Sequence, residues 1–435
     1  MKGAAPMGSK TKTVAKKEEA KPALVPKLRF PEFLETEGWK ERPLGDFLSE
    51  SRLPGSKGNV AKKITVKLWG NGVFEKSDAI QGSINTQYFR RKAGQFIYSK
   101  LDFLNQAFGI IPRSLDNFES TVDLPCFDLA DGLNPVFLLE YVKRRDFYER
   151  LGETADGSRK ARRIHAETFL SFPIALPTPA EQQKIAECLS SVDELMAAQA
   201  RKVDALKTHK KGLMQQLFPR DGETQPRLRF PEFQNAGEWE ETNLGHYFDP
   251  IRNGFVGTAT PYYTTNGGIR YLQGRNIKQG RIGADNLIYI TNDFHNRQRK
   301  SHLKSGDILM VQSGHVGECA VVGPDFAGAN CHALVILTPK RKLSSEFFAH
   351  YFYSPIGELA IFQITTGNTI KHILASELKT LPVLVPDLAE QERIASCLSS
   401  FDALITAETQ KFEALKTHKK GLMQQLFPSP EAVEA

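Results

Sequence analysis

Basic side chains are concentrated in a few short stretches of the sequence. The first stretch, SRKARRI, carries four cations within five residues and no acidic companion: Arg159, Lys160, Arg162 and Arg163. Guanidinium and ammonium groups bind the phosphates of nucleic acids, so this stretch is a candidate DNA contact. The alternative is that its charges form a solvated face, which is the usual role of a charge run.

Two further stretches in the second half of the chain carry groups suited to phosphates and base edges. One is the cluster Asn296, Arg297, Arg299, Lys300 and Lys304. The other is the glycine-bearing loop TTGNTIKHI, which supplies Thr366, Asn368, Lys371 and His372. The remaining candidates for DNA binding are Arg270, Arg275 and Asn276. Together with the first stretch, these residues form the predicted DNA-binding set.

Residues that could hold a metal or catalyse a reaction do not form a recognised pattern. His315, Cys319, Cys331 and His332 have the spacing HxxxC…CH, which is not a standard zinc spacing, so no metal is predicted. We find no GxxxxGK(S/T) phosphate loop and no HExxH pair. The nearest match to a Pro-Pro-aromatic methyltransferase tetrapeptide is NPVF from Asn134, which lacks the second proline. We therefore predict a protein that binds and has no catalytic residue of its own.

The frame that must position these residues is an internal repeat. The stretch ALKTHKKGLMQQLFP occurs twice, letter for letter, from Ala205 to Pro219 and from Ala414 to Pro428. Immediately upstream, EQQKIAECLSSVDEL answers EQERIASCLSSFDAL, and LRFPEF followed by a tryptophan also occurs once in each half. The period is far too long for a solenoid. The chain is therefore a duplicated half-protein.

Each repeated segment predicts one long helix. Apolar residues recur at alternating steps of four and three from Ile185 to Leu217 and from Ile394 to Leu426. This heptad pattern is typical of helices that pack along their length, and Pro219 and Pro428 end them.

Two positions of the heptad seam are polar in each copy: Gln199 and Lys210 in the first, Glu408 and Lys419 in the second. A parallel pair would set Lys210 against Lys419, and these like charges would repel, so an antiparallel pair is favoured. One antiparallel register places Gln199 opposite Lys419 and Lys210 opposite Glu408. Buried polar layers of this kind fix the register of coiled coils. The alternative is that the seam is simply imperfect at these positions.

The segments between the repeated pieces differ between the two halves. The first half has strand-like runs such as GQFIYSKLDFL and STVDLPCFDL and the helical run NPVFLLEYVKRRDFYERL. The second half has the strand-like runs GDILMVQSG and CHALVILTP and the helical run SSEFFAHYFYS. The predicted fold class is α+β, with two different domains on a pseudo-two-fold frame of two long antiparallel helices. A duplicated frame with different inserts indicates that the inserts set specificity.

The composition of the 435 residues, with 40% hydrophobic and 25% charged residues, is that of an ordinary globular protein. A net charge of +7 permits a nucleic-acid partner without requiring one. The sequence contains no apolar run of the ~20 residues that a membrane span needs. The start lacks the apolar core of a signal peptide and predicts a disordered basic arm, and five cysteines without an even framework favour a reducing cytoplasm.

The order of these pieces resembles the DNA-specificity subunit of Type I restriction–modification enzymes. The resemblance rests on GDILMVQSGHVGECAVV, TTGNTIKHI, LPVLVPDLAEQERIASCLSSFDALI and the C-terminal GLMQQLF. The first half carries the counterparts GQFIYSKLDFLNQAFGIIP, SFPIALPTPAEQQKIAECLSSVDELM and the same GLMQQLF. The resemblance covers nearly all of the chain beyond the arm.

The resemblance implies two target-recognition domains, each reading one part of a split, asymmetric DNA site, with the helix pair as a spacer. The implied segments are a basic arm (1–27), the first target-recognition domain (28–177), the first spacer helix (178–219), the second target-recognition domain (220–386), the second spacer helix (387–428) and a tail (429–435). The implied partners are double-stranded DNA, two adenine-methylating modification subunits and ATP-driven restriction subunits, with no membrane. S-adenosylmethionine, ATP and magnesium are expected on those partner subunits, and no cofactor is expected on this chain.

Two other functions stay open on the sequence alone. One is a coiled-coil adaptor that binds protein and no nucleic acid, for which the variable segments would lack basic loops. The other is a self-contained methyltransferase or nuclease, which would consume S-adenosylmethionine or cut DNA without partners.

Overall fold

The computed structural model describes residues 24–77, 83–153, 163–367 and 371–428. Four predicted DNA-binding residues lie outside these ranges: Arg159, Lys160, Arg162 and Asn368. The chain forms two compact units, unit 1 with residues 1–197 and 413–435, and unit 2 with residues 198–412. None of the helices in the described ranges is long and apolar enough to cross a membrane.

Unit 1 consists of short strands followed by helices. Its strands are β1 (Lys40–Pro43), β2 (Leu48–Glu50), β3 (Pro54–Lys57), β4 (Ile64–Val66), β5 (Val73–Glu75), β6 (Gln87–Arg90), β7 (Phe96–Tyr98), β8 (Phe108–Ile110), β9 (Glu119–Ser120), β10 (Cys126–Leu129) and, after the short helices, β11 (Pro173–Leu176). Its helices are α1 (Pro135–Val142), α2 (Arg145–Gly152), α3 (Ala166–Ser171) and the first part of the long helix α4 (Pro179–Leu217).

The strands of unit 1 form an antiparallel four-stranded sheet in the order β2-β10-β7-β8 and a three-stranded sheet in the order β3-β6-β9. Phe96, Phe127 and Phe169 pack their rings between the four-stranded sheet and α3. The Asn134 side chain accepts hydrogen bonds from the first free N–H groups of α1, which explains why the helix begins there. The predicted strand-like runs of the first half thus contain β7 and β10, whereas the predicted helical run forms two helices, α1 and α2, instead of one.

Unit 2 repeats this plan with a different set of inserted strands. Its strands are β12 (Glu240–Asn243), β13 (Phe248–Asn253), β14 (Ile269–Leu272), β15 (Ile277–Lys278), β16 (Arg281–Ile282), β17 (Ile288–Ile290), β18 (Ile308–Val311), β19 (Cys319–Val321), β20 (Asn330–Cys331), β21 (Leu334–Pro339) and β22 (Pro382–Val385). Its helices are α5 (Asn292–Arg297), α6 (Ser345–Phe352), α7 (Pro355–Gln363), α8 (Ala375–Thr380) and the first part of the long helix α9 (Leu388–Gln425).

The sheets show which parts of the two units are copies. The four-stranded sheet β13-β21-β18-β19 and the pair β12–β22 of unit 2 follow the order of β2-β10-β7-β8 and β1–β11 in unit 1. The three-stranded sheets differ, because β14 pairs in parallel with β20 in unit 2, whereas β3, β6 and β9 of unit 1 are antiparallel. The predicted frame with two different inserts is thus confirmed.

The two long helices have the predicted ends. Helix α4 has 39 residues and α9 has 38, and each ends shortly before its proline, Pro219 or Pro428. At 1.5 Å per residue each helix is about 58 Å long. Because each helix passes from one compact unit into the other, each unit contains the beginning of one helix and the end of the other.

The LRFPEF stretch of unit 1 ties these two helices to each other. The Arg29 guanidinium donates to both carboxylate oxygens of Glu181, at 2.8 and 2.7 Å, and Glu181 is only 1% exposed. The Trp39 indole N–H donates to the same carboxylate at 3.3 Å. The adjacent N–H of Leu28 donates to the carbonyl of Gln425, at the end of α9, at 2.9 Å. The beginning of α4 and the end of α9 are therefore held by two neighbouring residues.

Unit 2 repeats this clamp. Arg229 donates to both carboxylate oxygens of Glu390 at 2.8 and 2.6 Å, and the N–H of Leu228 donates to the carbonyl of Gln216 at 2.9 Å. The hydrogen bond to Glu390 raises the pKa of Arg229. One difference is that the buried Trp239 indole N–H has no hydrogen-bond partner among the described residues.

The Leu-Phe pair after each identical stretch enters an aromatic socket. In unit 1 the ring centroid of Phe427 lies 6.0 Å from Trp39, 5.4 Å from Phe137 and 5.7 Å from Tyr141. Leu426 beside it is 2% exposed. Burying two such side chains contributes about 1.5–3 kcal/mol each, so this end of α9 is fixed in the core of unit 1.

The same socket is present in unit 2 for the end of α4. The ring centroid of Phe218 lies 6.1 Å from Trp239, 5.5 Å from Phe347 and 6.0 Å from Tyr351, and Leu217 is 1% exposed. The identical sequences therefore dock in equivalent sites of different domains.

The helices pair antiparallel, but the predicted register is wrong. Lys210 binds both carboxylate oxygens of Asp402, at 2.7 and 2.6 Å, and does not pair with Glu408, which lies six residues further along α9. Glu408 instead accepts from the Gln199 amide at 2.7 Å and from Lys202 at 3.0 Å. The clamps and sockets at the helix ends fix the register, so the Lys210 side chain meets the acid that those ends bring opposite it.

The prediction for Lys419 is corrected in the same way. Its ammonium group lies 2.7 Å from Asp193 and 3.1 Å from the buried Glu140, and the predicted Gln199 is engaged by Glu408 instead. Burial would raise the pKa of Glu140, but Lys143 and Lys419 outweigh burial and lower it. The pairs Lys210–Asp402 and Lys419–Asp193 are repeat copies of one ion pair.

The predicted basic arm is also shorter than 27 residues. Leu24 forms a β-bridge with Trp39 and accepts a hydrogen bond from its N–H at 2.8 Å. Residues 1–23 lie outside the described ranges.

Reversing the ion pair in unit 2 tests the corrected register. Asp402→Lys should lower the free energy of unfolding by about 1–2 kcal/mol, because Lys210 then faces a like charge in a half-buried layer. Adding Lys210→Asp should restore most of this loss. Urea unfolding of the four proteins in a double-mutant cycle measures the coupling energy. The matched control exchanges Lys210 with Glu408, and a stronger coupling in that cycle would contradict the observed register.

His350 of α6 predicts a pH dependence. Burial and the nearby Lys210 lower its pKa to about 4, although Asp402 opposes the shift. Its Nε2 atom lies 3.2 Å from the Ser399 hydroxyl. Because the unfolded chain binds the proton more tightly, this contribution to stability is complete above the unfolded pKa of about 6.5 and is lost as the pH falls towards 4.

We therefore expect the free energy of unfolding to fall by about 2 kcal/mol more in the natural protein than in His350→Gln between pH 7 and pH 4.5. The glutamine amide can keep the hydrogen bond to Ser399 and does not titrate. Urea unfolding at both pH values measures the difference. Equal slopes with pH in the two proteins would show that His350 does not titrate in this range.

Candidate nucleic-acid interface

The cationic cluster of unit 2 is built on α5 and the turn that follows it. Thr291 accepts a hydrogen bond from the N–H of Phe294, which begins the helix, and Phe294 is buried beneath it. This geometry turns Asn296, Arg297, Arg299, Lys300 and Lys304 to the surface, where all five are exposed. The structure thus brings the predicted cluster together on one short segment.

Arg252 holds the backbone of this segment in place. Its guanidinium donates to the carbonyl oxygens of Lys300 at 2.7 Å and of His302 at 3.1 Å. Its nearest carboxylate is the buried Asp307, at 3.7 Å. The exposed cations therefore project from a turn whose carbonyls are anchored by a buried charge pair.

Two histidines of this segment are stacked in parallel. The rings of His295 and His302 lie 3.7 Å apart, and the His302 Nε2 atom is 2.8 Å from the carbonyl of His295. Burial lowers the pKa of His295, and the neighbouring His302 lowers it further. The lowered pKa favours the neutral form of His295.

Aromatic side chains accompany these cations. The Arg297 guanidinium lies 5.1 Å from the centre of the Tyr262 ring and 2.9 Å from Asp293. Arg270 on β14 stands opposite Tyr289 on β17, and both side chains are exposed. Adjacent aromatic and guanidinium groups suit stacking and phosphate contacts together.

Sequence reasoning missed the aromatic members of this surface. Tyr289 is 39% exposed and Tyr263 is 36% exposed, and the Tyr263 hydroxyl accepts from the Gln273 amide at 3.2 Å. In NLIYIT the isoleucines face the core, so the alternation along the strand turns Tyr289 to the surface. This alternation could have identified Tyr289 from the sequence.

Arg275 and Asn276 have different positions. Arg275 is exposed and donates to the carbonyl of Asn286 at 3.2 Å. Asn276 is only 4% exposed, and its side chain accepts from the N–H of Gln273 and donates to the carbonyls of Gly283 and Asp285. The buried Asn276 side chain therefore stabilises the loop that contains Gly283 and Asp285, and it is not part of the candidate interface.

The described residues Thr366, Lys371 and His372 of the stretch TTGNTIKHI form a second exposed group in unit 2. Thr366 and His372 exchange two backbone hydrogen bonds, at 3.0 and 2.8 Å, and His372 also bridges to Ser313 in the loop after β18. The Lys371 ammonium lies 5.5 Å above the ring of Phe362, which is 65% exposed. The backbone hydrogen bonds thus hold Thr366 and His372 together at the surface, where Lys371 is also exposed.

The loop after β18, the helices α6 and α7, and Lys371 line a cavity of about 400 Å³. His315, Glu318 and Lys371 contribute its polar lining, and Ile361 and Phe362 contribute apolar surface. The Glu318 carboxylate is engaged by the Tyr353 hydroxyl at 2.7 Å. The cavity therefore lies beside Lys371, which is one of the candidate DNA contacts.

In unit 1 only Arg163 of the first predicted stretch is described. It is exposed, and its guanidinium lies 3.7 Å from the Asp123 carboxylate. The role of SRKARRI in DNA contact stays a prediction.

The four residues considered for zinc do not form a metal site in this structure. Cys319 and Cys331 lie in different hydrophobic clusters, and burial raises the pKa of Cys331 to about 12. His332 is 3.1 Å from the Tyr271 hydroxyl through its Nδ1 atom. Within the described ranges, no three His, Cys, Asp or Glu side chains form a group that could hold a metal ion.

Comparison with known proteins finds similarity to type I specificity proteins. Residues 237–417 match the family model of the Type I restriction modification DNA specificity domain. The putative type I restriction enzyme MjaX specificity subunit of Methanocaldococcus jannaschii is 26% identical over 67% of this chain and 66% of its own length. The MjaVIII specificity subunit of the same organism is 24% identical over 61% of this chain and 63% of its own length. The chain thus spans slightly less than two thirds of these relatives.

Solved structures share the fold. The S subunit of the type I restriction–modification system from M. genitalium matches with a TM-score of 0.57 and 15% identity, over 93% of this chain and all of that one. A chain from a study of complex assembly and conformational transition of the type I R-M system matches with a TM-score of 0.55 and 17% identity, over 90% and 98%. This likeness shows the fold, which is the predicted α+β architecture with two long helices.

The exposed cluster on α5 gives a direct test of nucleic-acid contact. Each phosphate contact that is lost should flatten the dependence of log affinity on log salt by about 0.9. The variant Arg297→Ala/Arg299→Ala/Lys300→Ala should therefore bind DNA more weakly and flatten the slope by up to about 2.7. Fluorescence anisotropy with labelled duplex DNA at several salt concentrations measures it.

The matched control is Arg201→Ala/Lys207→Ala/Lys211→Ala, which removes three exposed cations from α4. Its salt slope should stay that of the natural protein. A slope that is unchanged in the α5 variant would identify this cluster as a solvated face.

Proposed function

We propose that this chain, which resembles the specificity subunits of type I restriction–modification enzymes, is such a subunit and recognises a bipartite, asymmetric DNA site. The observation that carries the proposal is the duplicated frame with two different inserts. Two equal frames present two readers, and because the inserts differ, the two parts of the site need not be related by symmetry.

The geometry of unit 2 supports DNA reading by two exposed groups. The α5 segment offers arginines and lysines for phosphates, with Tyr262 and Tyr289 beside them. The loop with Thr366 and Lys371 offers hydroxyl and ammonium donors on a closed backbone. Phosphate contacts would orient the unit on the duplex, and the shorter polar side chains would read base edges.

The long helices are suited to the role of a spacer. Each is clamped at its beginning by a buried Arg–Glu pair and fixed at its end by a Leu-Phe pair in a socket. Ion pairs and hydrogen bonds such as Lys210–Asp402 and Gln199–Glu408 hold the register in between. A helix held at both ends keeps a fixed length, which would set the gap between the two parts of the DNA site.

We infer that chemistry is carried out by partners. The expected partners are two modification subunits, which would bind S-adenosylmethionine and methylate adenine, and restriction subunits, which would use ATP and magnesium. This chain would contribute recognition and positioning and no catalytic residue. The adaptor and self-contained enzyme alternatives differ in that the first would not bind DNA and the second would need no partner.

Exchange of the first variable segment tests the proposal. Leu44–Pro177 is replaced by the corresponding segment of another family member that keeps aromatic residues at the positions of Phe137 and Tyr141, so that the socket for Phe427 survives. Methylome sequencing of cells that carry the exchanged chain with the modification subunits should show one half of the methylated motif changed and the other half retained.

The control is the natural chain in the same cells, and omission of the chain should abolish methylation of the split motif. A change in both halves of the motif would contradict the modular recognition. Methylation of the same motif without this chain would contradict its role as the specificity subunit.

A further inference from the structure

The β15–β16 hairpin of unit 2 is hydrogen-bonded to the long helix α9. The guanidinium of Arg281, on β16, donates to the backbone carbonyl of Asp402, which lies within α9. Arg281, Asp402 and the rest of the hairpin all belong to unit 2. This hydrogen bond therefore joins the inserted strands, which carry candidate DNA contacts, to the helix pair.

The hairpin is a closed loop that begins beside a candidate DNA contact. The exposed Arg275 directly precedes Asn276, whose carbonyl accepts from the N–H of Gly283 at 2.7 Å. The Asn276 amide donates to the carbonyl of Gly283 at 3.3 Å, so the two ends of the hairpin are bound to each other. Between these ends, Lys278 stands opposite Arg281 in the antiparallel register. Because the hairpin is short and closed, the position of Arg281 constrains that of Arg275.

The tip of the hairpin is bound to the frame of unit 2. The N–H of Gln279 donates to the Glu318 carboxylate at 2.7 Å, and the N–H of Gly280 donates to the Tyr353 hydroxyl at 2.9 Å. The Tyr353 hydroxyl in turn donates to Glu318 at 2.7 Å. The tip and the base thus hold the hairpin within its domain, and Arg281 extends this support to the spacer helix.

Asp402 is also the residue through which the two long helices are joined in unit 2. Its carboxylate binds the Lys210 ammonium with both oxygens, at 2.7 and 2.6 Å. Its carbonyl accepts from the Thr406 hydroxyl at 2.6 Å in addition to Arg281. One residue therefore receives both the ion pair between the helices and the hydrogen bond from the hairpin, so the hairpin is placed relative to both helices at once.

Unit 1 does not repeat this connection. Asp193, the repeat copy of Asp402, binds Lys419 at 2.7 Å, but among the described residues no side chain donates to the Asp193 carbonyl. The β4–β5 hairpin of unit 1 is instead bound through the N–H of Trp69 to the carbonyl of Asn105 at 2.7 Å. Since the frame of unit 1 forms without such a contact, the Arg281 hydrogen bond has a role that is particular to unit 2.

The gap between two parts of a DNA site constrains the direction of a reading domain as well as its distance. One added base pair moves a half-site by about 3.4 Å and turns it by about 35° around the DNA axis. A domain that can tilt against its spacer follows such a change at little cost. A domain that is fixed to its spacer rejects the altered site.

We propose that Arg281 is a positioning residue that fixes the direction of the unit 2 reading domain against the spacer helices and thereby restricts recognition to one gap length. Arg281 acts through the Asp402 carbonyl and the hairpin, and itself reads no base. The inference rests on the proposed function, because it takes a bipartite DNA site as the ligand.

Methylome sequencing of cells that carry this chain with its modification subunits tests the inference. The natural chain should direct methylation to one split motif with one gap length. Arg281→Ala should also direct methylation to the same two half-motifs with gaps one base pair shorter or longer. Because a hydrogen bond from a charged donor is lost, the preference for the natural gap should fall about tenfold. Arg281→Lys keeps a charged donor and should restore most of the preference.

The matched control is Lys278→Ala, which removes an exposed cation from the position opposite Arg281 in the same hairpin. It should keep the natural gap preference. Methylation at the natural gap alone in Arg281→Ala would overturn the inference, and so would a loss of methylation without gain at other gaps. A changed half-motif in that variant would also overturn it, because Arg281 would then read bases. Absence of any split motif with the natural chain would instead contradict the proposed function.

Discussion

The buried Arg–Glu clamp at the start of each long helix is the interaction on which the architecture depends. Glu181 and Glu390 are each 1% exposed, and a carboxylate so deeply buried is stable only with a fully matched cation. Arg29 and Arg229 supply it with two hydrogen bonds each. The residue before each arginine binds the last turn of the other helix. One short stretch therefore fixes the start of one helix beside the end of the other.

Much of the frame could be predicted from the sequence because it depends on local patterns. Heptad spacing and the prolines gave the long helices, and alternation gave strands such as β7 and β18. The register could not be predicted, since Glu408 and Asp402 lie six residues apart on α9 and either carboxylate could pair with Lys210. Only the contacts at the helix ends distinguish these registers. Those contacts join residues that are far apart in the chain, so local sequence patterns do not reveal them.

The sequence predicted exposed residues of the candidate interface correctly where several charged side chains lie close together in the chain. The cluster from Asn296 to Lys304 is exposed as expected, because five polar residues around one buried Phe294 leave no other arrangement. Asn276 was assigned wrongly, since an asparagine suits a loop brace as well as a base edge.

The identical Leu-Phe ends explain how the inserts can differ while the frame stays constant. Each end needs only three rings, and Trp39, Phe137 and Tyr141 of unit 1 have the counterparts Trp239, Phe347 and Tyr351 in unit 2. A domain that keeps this socket and the Arg–Glu clamp can therefore accept either helix end. The sheets and loops beyond the socket are then free to change, so recognition can diverge without altering the length or register of the helix pair.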